Sequence, residues 1–220
     1  GELEAFRGHA ERALRHFGWP VPTTRVGWAV GTLMQMAVRL LQSARPDAQG
    51  VESEERRRVR RVAGRLLMRL TDAFIYGQEA LPVLWSGLRM LNLCEPAGAS
   101  PELARGYTNM AVVAGAVPVR PVAEAWVGRA REVAERVGSP ADLAYVLCRN
   151  AVYATYMARW AEVEAWLERA TGIVDSVGDL RLAEECRALY TVVGCYQGKF
   201  QRGLPLMDWL EASARRRGAL

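Results

Sequence analysis

Lysine is almost absent from this 220-residue sequence, and arginine carries nearly all of its positive charge. Lys199 is the only lysine. Together with many Ala, Gly and Val residues and few Ile and Asn residues, this bias is typical of a GC-rich bacterial genome. The net charge of +5 therefore argues little for a nucleic-acid partner.

Histidine is also rare, and it is the side chain most often used as a metal ligand or general base. His9 and His16 are the only two, and no third ligand stands near them in the sequence, so we interpret both as surface side chains. No HExxH, GxSxG or GxGxxG pattern occurs in a context that would give it meaning. We therefore predict no catalytic residue, no metal site and no cofactor. The alternative, an unrecognised enzyme for a small molecule, requires a deep pocket where ionisable groups converge.

The four cysteines are too few and too far apart for a disulfide framework or a zinc site. Cys94, Cys148, Cys186 and Cys195 lie within apolar helical patterns, without C-x-x-C spacing. We predict that all four are reduced, buried thiols of a cytoplasmic protein.

No apolar run reaches the roughly 20 residues that a membrane-spanning helix requires. The most apolar run covers residues 26–41 and contains Gln35 and Arg39. It predicts a buried or amphipathic helix, with contact to a membrane surface as the alternative. The start of the chain has no signal-peptide pattern.

A forty-residue repeat is the strongest pattern that the sequence contains. EAWVGRAREVAERVGSP begins at Glu124, and the similar EAWLERATGIVDSVGDL begins at Glu164. The period continues, because Phe200 lies forty residues after Trp160. Periods of this size are typical of stacked helical units. We predict four units, which cover about residues 58–97, 98–137, 138–177 and 178–217.

Each unit is predicted to form two antiparallel helices. In the third unit, Ser139 and Pro140 favour a helix start, and this helix should run to about Ala158. A second helix should begin at Arg159 and end at Gly178, because glycine accepts the left-handed conformation that terminates many helices. Ser100 and Asp179 should cap the first helices of units two and four.

One hairpin cannot bury its own apolar surface. Val163, Leu167 and Ala170 form part of an apolar stripe at helical spacing, and a neighbouring hairpin is needed to cover it. Small residues such as Ala123 and Ala130 would let helices approach closely. The sequence therefore predicts an all-α fold, a right-handed α-solenoid of hairpins.

The N-terminal part, residues 1–57, departs from this period. LEAFRGHAERAL from Leu3 follows the same pattern as GCYQGKFQRGLPL from Gly194, so the chain is predicted to begin inside a partial repeat. We expect from this that the chain is a fragment of a longer polypeptide with more repeats before it. An insertion from about Pro20 to Glu55 should contain a helix over about residues 24–44 and a polar connector, SARPDAQGVESEE.

Two features resemble known repeat proteins. The turn Gln197-Gly198-Lys199-Phe200, with the small-residue column at Ala130 and Ala170, resembles the tetratricopeptide pattern at a lengthened period. RMLNLCEPAGASPELARGYTNMAVVAG from Arg89, with the following AEAWVGRAREVAERVGSPADLAYVL, resembles the C-terminal helical region of large bacterial regulators. Those proteins carry an adenylate or guanylate cyclase head, or a Ser/Thr kinase head, followed by an AAA-type ATPase module.

This resemblance implies a regulatory or sensor segment that binds a protein, a peptide or other domains of its own polypeptide. Neither the metal-binding aspartates of the cyclases nor a phosphate-binding GxxxxGK[ST] loop is present, so no catalytic residue is carried over. In such solenoids the first helices of successive hairpins line the concave side. The predicted binding groove therefore contains Arg105, Thr108, Tyr145, Cys148, Arg149, Val152, Tyr156, Glu185 and Tyr196. Alternatively, Tyr156 and Tyr196 fill the seam between hairpins.

The densest charge lies in a run of arginines at the start of the first unit. These residues are Arg56, Arg57, Arg58, Arg60, Arg61, Arg65 and Arg69. On a helix they scatter around more than half of the circumference, without interleaved aromatic side chains on which bases could stack. We interpret the run as a solvated helix face with internal ion pairs, and polyanion binding remains the alternative function.

Overall fold

The computed structural model describes residues 2–44, 53–115, 120–216 and 218, and these residues form helices and connecting turns without any strand. A single 3-10 turn, Glu95–Ala97, follows the fourth helix. The α-helices are α1 (Glu2–His16), α2 (Arg25–Ala44), α3 (Glu54–Tyr76), α4 (Ala80–Cys94), α5 (Pro101–Gly115), α6 (Arg120–Val137), α7 (Pro140–Tyr156), α8 (Trp160–Val177), α9 (Leu180–Tyr196) and α10 (Phe200–Arg216).

The helix positions repeat at the interval that the sequence predicts. The second helix of each hairpin begins at Ala80, Arg120, Trp160 and Phe200, which are forty residues apart. The first helix of the first hairpin begins at Glu54, four residues before the predicted start of that unit. It begins early because the Ser53 side chain accepts a hydrogen bond from the Arg56 amide at 3.4 Å.

Predicted N-cap residues lie at the start of the first helix in three of the hairpins. The Ser100 hydroxyl accepts from the Leu103 amide at 3.2 Å. The Ser139 hydroxyl accepts from the Asp142 amide at 3.3 Å. In the last hairpin, Asp179 Oδ1 accepts from the Leu182 amide at 3.0 Å. Each cap satisfies an amide that has no partner inside its helix.

The helix ends agree with the prediction less closely. Gly178 ends α8 with φ of 78°, in the left-handed conformation expected of it. The first helix of the third unit was predicted to run to Ala158 but stops at Tyr156, because Ala158 adopts φ of 53°. The left-handed backbone conformation is energetically unfavourable for alanine, and no local sequence pattern predicts it at this position.

Each helix packs mainly on helices that are one or two places away in the chain. The pairs α3–α4, α5–α6, α7–α8 and α9–α10 form hairpins, and α5, α7 and α9 each contact the first helix of the preceding hairpin. The apolar core is correspondingly divided. One cluster extends from α1 to α7 and includes Leu14, Phe74 and Leu91, while another joins α7, α8 and α9 around Leu147 and Leu167.

Small residues allow close helix contacts within this core. Ala123, Ala130 and Ala170 are fully buried, and Ala130 and Ala170 occupy the same column of the repeat. A Cβ atom on Gly64 of α3 would lie 2.5 Å from Sγ of Cys94, and one on Gly87 of α4 would lie 2.3 Å from Sδ of Met110. Both distances are far below van der Waals contact, so a side chain at either glycine would require Cys94 or Met110 to move.

The apolar run at residues 26–41 lies in α2, whose bounds agree with the predicted helix over about residues 24–44. The side facing α4 carries Thr32, Gln35 and Arg39, all buried, while most of the aliphatic side chains are exposed. The sequence predicted a buried or amphipathic helix, and α2 is amphipathic, with its polar side buried and its apolar side exposed. The part of the polar connector at residues 45–52 lies outside the described residues.

The cysteines differ from the prediction at one position. Cys94, Cys148 and Cys186 are buried and Cys195 is exposed, and all four thiols are free. Cys195 lies in the last turn of α9, two residues after the buried Val193. Among the described helices, none combines the length and the hydropathy needed to cross a bilayer.

Replacing Leu167 tests whether neighbouring hairpins share one core. Leu167 of α8 is completely buried, so Leu167→Ala should lower the free energy of unfolding by about 2–5 kcal/mol in urea titrations. The matched variant Leu180→Ala removes a side chain that is 40% exposed and should cost less than about 0.5 kcal/mol. Equal effects of the two substitutions would contradict the described core.

Candidate partner-binding face

The first helices of successive hairpins are joined by polar side chains along one face. We call it the first-helix face and define it by Asp72 of α3, Arg105 and Asn109 of α5, Tyr145, Arg149 and Tyr156 of α7, and Glu185 and Tyr196 of α9. It includes six of the nine residues of the predicted groove. Two further residues, Asp72 and Asn109, were missed by the sequence analysis.

Hydrogen bonds on this face run from one hairpin to the next. Nε of Arg105 donates to Asp142 Oδ1 at 2.8 Å, which links α5 to α7. Nη2 of Arg149 donates to Glu185 Oε2 at 2.8 Å, which links α7 to α9. Because these partners are 36 or 37 residues apart, the ion pairs connect equivalent parts of neighbouring units. Arg105, Arg149 and Glu185 therefore contribute to the packing of hairpins as well as to the surface.

Tyr145 lies between two of these arginines. The guanidinium carbons of Arg105 and Arg149 are 4.5 and 5.4 Å from the centre of its ring, within the range of cation–π attraction. Its hydroxyl donates to Asn109 Oδ1 at 3.1 Å. Burial lowers the pKa of Arg149, but the neighbouring Tyr145 and Glu185 outweigh that effect and leave the pKa raised. Arg149 therefore presents a permanent and well-oriented positive charge.

Three residues of the predicted groove contribute little to the surface. Thr108 is fully buried and its hydroxyl donates to Asn150 Oδ1. Cys148 is also buried, and a hydrogen bond with the Cys186 thiol lowers its pKa. Val152 is half-buried on the same helix. Thr108 and Cys148 thus hold α7 against its neighbours and are not available to a partner, contrary to the prediction.

The two tyrosines at the helix ends are exposed. Tyr156, the last residue of α7, is 58% exposed, and Tyr196, the last residue of α9, is 68% exposed. The alternative interpretation, in which they fill the seam between hairpins, is therefore wrong. Large exposed tyrosines that recur at equivalent positions are available for contact with another molecule.

Asp72 is the unusual charge on this face. Its carboxylate is half-buried and makes no hydrogen bond or ion pair with any described residue. Burial raises its pKa, and Arg149, Arg69 and Arg181 oppose that shift without cancelling it. One feature of the sequence could have identified Asp72, which is the only carboxylate between Glu55 and Glu79.

Several arginines of the run on α3 are engaged in local ion pairs or hydrogen bonds. Nε of Arg65 lies 2.8 Å from Oε1 of Glu102, and Arg61 pairs with Glu54. Nη1 of Arg60 donates to the Leu93 carbonyl at 3.5 Å. Within the run, Arg56, Arg58, Arg65 and Arg69 are exposed and Arg57, Arg60 and Arg61 are half-buried. These local pairings favour the solvated, internally paired interpretation over polyanion binding.

A cavity of about 380 Å³ lies between α8, α9 and α10. The charged groups that line it are largely paired with one another. Nζ of Lys199 lies 3.2 Å from Oε1 of Glu164, and Nη1 of Arg202 lies 3.8 Å from the same oxygen. Arg187 pairs with Asp175 at 2.9 Å. The hydrogen bond from Lys199 lowers the pKa of Glu164, so this carboxylate remains ionised and does not act as a proton donor near neutral pH.

Searches with this chain return no matching protein-family model and no matching curated protein. Nowhere in the described ranges do three His, Cys, Asp or Glu side chains come together in a group that could hold a metal ion. His9 and His16 are exposed on α1, in agreement with the surface assignment. What the first-helix face offers is oriented positive charge, an unpaired carboxylate and exposed aromatic surface.

The pH dependence of stability tests the assignment of Asp72. Because its pKa is raised in the folded state, the protonated form is favoured by folding, and this contribution is lost as pH rises through the raised pKa. Asp72→Asn should therefore increase the free energy of unfolding at pH 7. The gain should disappear below about pH 4, where aspartate is protonated in both states.

Urea titrations of wild type and variant at both pH values measure this difference. Asp208→Asn is the matched control, since Asp208 is an exposed aspartate of α10, and it should leave stability unchanged. Destabilisation by Asp72→Asn at pH 7 would show that the surrounding arginines stabilise the carboxylate instead.

Proposed function

We propose that this chain is a non-catalytic scaffold for protein–protein interaction, built as a right-handed α-solenoid of tetratricopeptide-like hairpins. The forty-residue spacing of the second helices supports this proposal. So does the local packing, because in solenoids each repeat contacts only its neighbours. Under this proposal α3, α5, α7 and α9 line the concave side.

The observation that carries the proposal is the composition of the first-helix face. Tyr156 and Tyr196 expose aromatic surface, and tyrosine and arginine are enriched among residues that dominate binding energy. Asp72 is retained half-buried and unpaired beside Arg149 and Arg181. A carboxylate kept at some cost to stability is typical of sites selected for function.

The resemblance to bacterial regulators suggests the kind of protein in which this scaffold occurs. We infer that it is a regulatory or sensor segment of a larger cytoplasmic signalling protein whose catalytic head is a cyclase or a kinase. The partner would then be a separate protein or peptide, or another domain of the same polypeptide. Catalysis would reside in those other domains.

Peptides selected for binding to the chain from a displayed random library provide the test. Replacing both Tyr156 and Tyr196 by alanine should weaken binding of the selected peptides by about tenfold or more, since each hot-spot tyrosine contributes on the order of 1–2 kcal/mol. Dissociation constants from fluorescence polarisation measure the effect.

The matched control is Phe17→Ala, which removes an exposed aromatic side chain from the turn after α1. It should leave the dissociation constants unchanged. Selected peptides that bind the double tyrosine variant as tightly as they bind wild type would refute the first-helix face as the binding site.

A further inference from the structure

The inner side of α2 is fixed by specific polar contacts. Nη2 of Arg39 donates to Glu95 Oε1 at 3.0 Å, and Nη1 of the same guanidinium bonds to Glu95 Oε2. Nδ2 of Asn92 donates to the Gln35 carbonyl at 2.9 Å and to its Oε1 at 3.1 Å. Arg39, Gln35 and Asn92 are all buried, and breaking these bonds would leave buried polar groups unpaired. Rotation of α2 about its axis is therefore strongly disfavoured.

Aromatic packing fixes the N-terminal half of α2 in the same orientation. Trp28 makes edge-to-face contacts with Phe74 of α3 and Trp85 of α4, with ring centres 5.4 and 5.3 Å apart. A Cβ atom on Gly31 would lie 2.9 Å from the Trp85 ring, so this glycine permits the close approach. The outward side of α2 is thus determined along the helix.

This outward side is a continuous apolar stripe. It contains Val26, Val30, Leu33, Ala37 and Leu40, which we call the α2 seam. The four larger side chains of the seam are between 60 and 73% exposed. Met34 and Leu41, beside the seam, are 65 and 64% exposed. No charged side chain occurs in residues 26–38.

The spacing of the α2 seam is that of a helix-pairing surface. Its members follow one another at intervals of four, three, four and three residues. This alternation is the heptad pattern through which two helices interdigitate their side chains. The occupant that fits it is another helix with an uncharged apolar stripe.

We propose that the occupant is a second copy of this chain, whose α2 packs antiparallel on the first across a two-fold axis near Leu33. Such a contact is self-complementary because both chains contribute the same stripe. It brings no like charges together, since the stripe is uncharged. The four larger seam side chains, with Met34 and Leu41 beside them, are each at least 60% exposed, so the contact would remove a contiguous apolar surface of both chains from water.

The alternative occupant, a lipid surface, fits the charge pattern less well. Helices that lie on membranes carry Lys or Arg beside their apolar face to meet anionic headgroups. In α2 the polar side is buried against α4, and Arg39 is paired with Glu95 there. The absence of charge in residues 26–38 therefore favours a protein copy over lipid.

Sedimentation velocity of the intact chain tests this proposal. The wild type should sediment as a dimer of the 24.4 kDa chain at about 100 µM, a concentration above the dissociation constants from µM to pM that stable protein interfaces show. Val30→Glu and Leu33→Glu each bury a charge at the two-fold contact and should weaken dimerisation by at least about 100-fold. The matched control Val122→Glu, at an exposed valine of α6, should remain dimeric.

Circular dichroism should show the same helix content in all variants, because the substituted side chains are exposed in the single chain. A second measurement is independent of the charged variants. Leu33→Cys in a Cys195→Ser background should form a disulfide-linked dimer under mild oxidation, whereas Val122→Cys should not.

Three results would overturn the proposal. One is a wild type that stays monomeric at about 100 µM. Another is a dimer that persists in Val30→Glu and does not cross-link through Leu33→Cys. The third is co-sedimentation of the monomeric wild type with vesicles of anionic phospholipid that Val30→Glu abolishes, which would assign the α2 seam to a lipid surface.

Discussion

The burial of each hairpin's apolar stripe by the next hairpin is the constraint on which the rest of this structure depends. Leu167, Ala170 and Val174 of α8 are buried because α7 and α9 cover them. The same dependence leaves apolar side chains uncovered at the ends of the stack. The α2 seam is exposed on the N-terminal side, and Tyr196 and Phe200 are exposed on the C-terminal side. The α2 seam thus follows from this packing rule, whereas the first-helix face runs along the successive hairpins from α3 to α9.

Polar side chains on the first-helix face join successive hairpins and also present oriented charges at the surface. Arg105 and Arg149 join successive hairpins through Asp142 and Glu185, and this use fixes the direction of their charges. Asp72 has no such structural partner among the described residues, although burial disfavours its ionised form. In the proposed solenoid, a groove of pre-oriented arginines with one half-buried carboxylate would bind a peptide without large rearrangement of side chains.

The repeating part of the fold could be predicted from the sequence because its signals are local. The period places the second helices, and Ser139 and Asp179 cap helices within a few residues of their own positions. The orientation of α2 could not be predicted, since the residues that bond to Gln35 and Arg39 lie more than fifty residues away. Local spacing predicted a buried or amphipathic helix, and distant polar partners determine which side of it faces α4.

The same distinction between local signals and distant contacts explains which residues of the candidate site could be predicted from the sequence. Arg105, Tyr145 and Glu185 could be grouped from the sequence because they occupy matching positions, forty residues apart, in successive repeats. The burial of Thr108 and Cys148 depends on contacts with Asn150 and Cys186, which no spacing rule reveals. Asp72 was missed because an isolated carboxylate within an arginine-rich helix resembles an ordinary ion-pair partner until its surroundings are known.

Shortening the chain after Gly178 tests the packing rule most directly. If hairpins are stabilised by their neighbours, loss of α9 and α10 should leave α1 to α8 helical, with cooperative but weaker thermal unfolding by circular dichroism. The helix signal per residue should stay close to that of the whole chain. Collapse of the helix signal throughout the shortened chain would contradict hairpin-by-hairpin packing and show that all ten helices form one indivisible core.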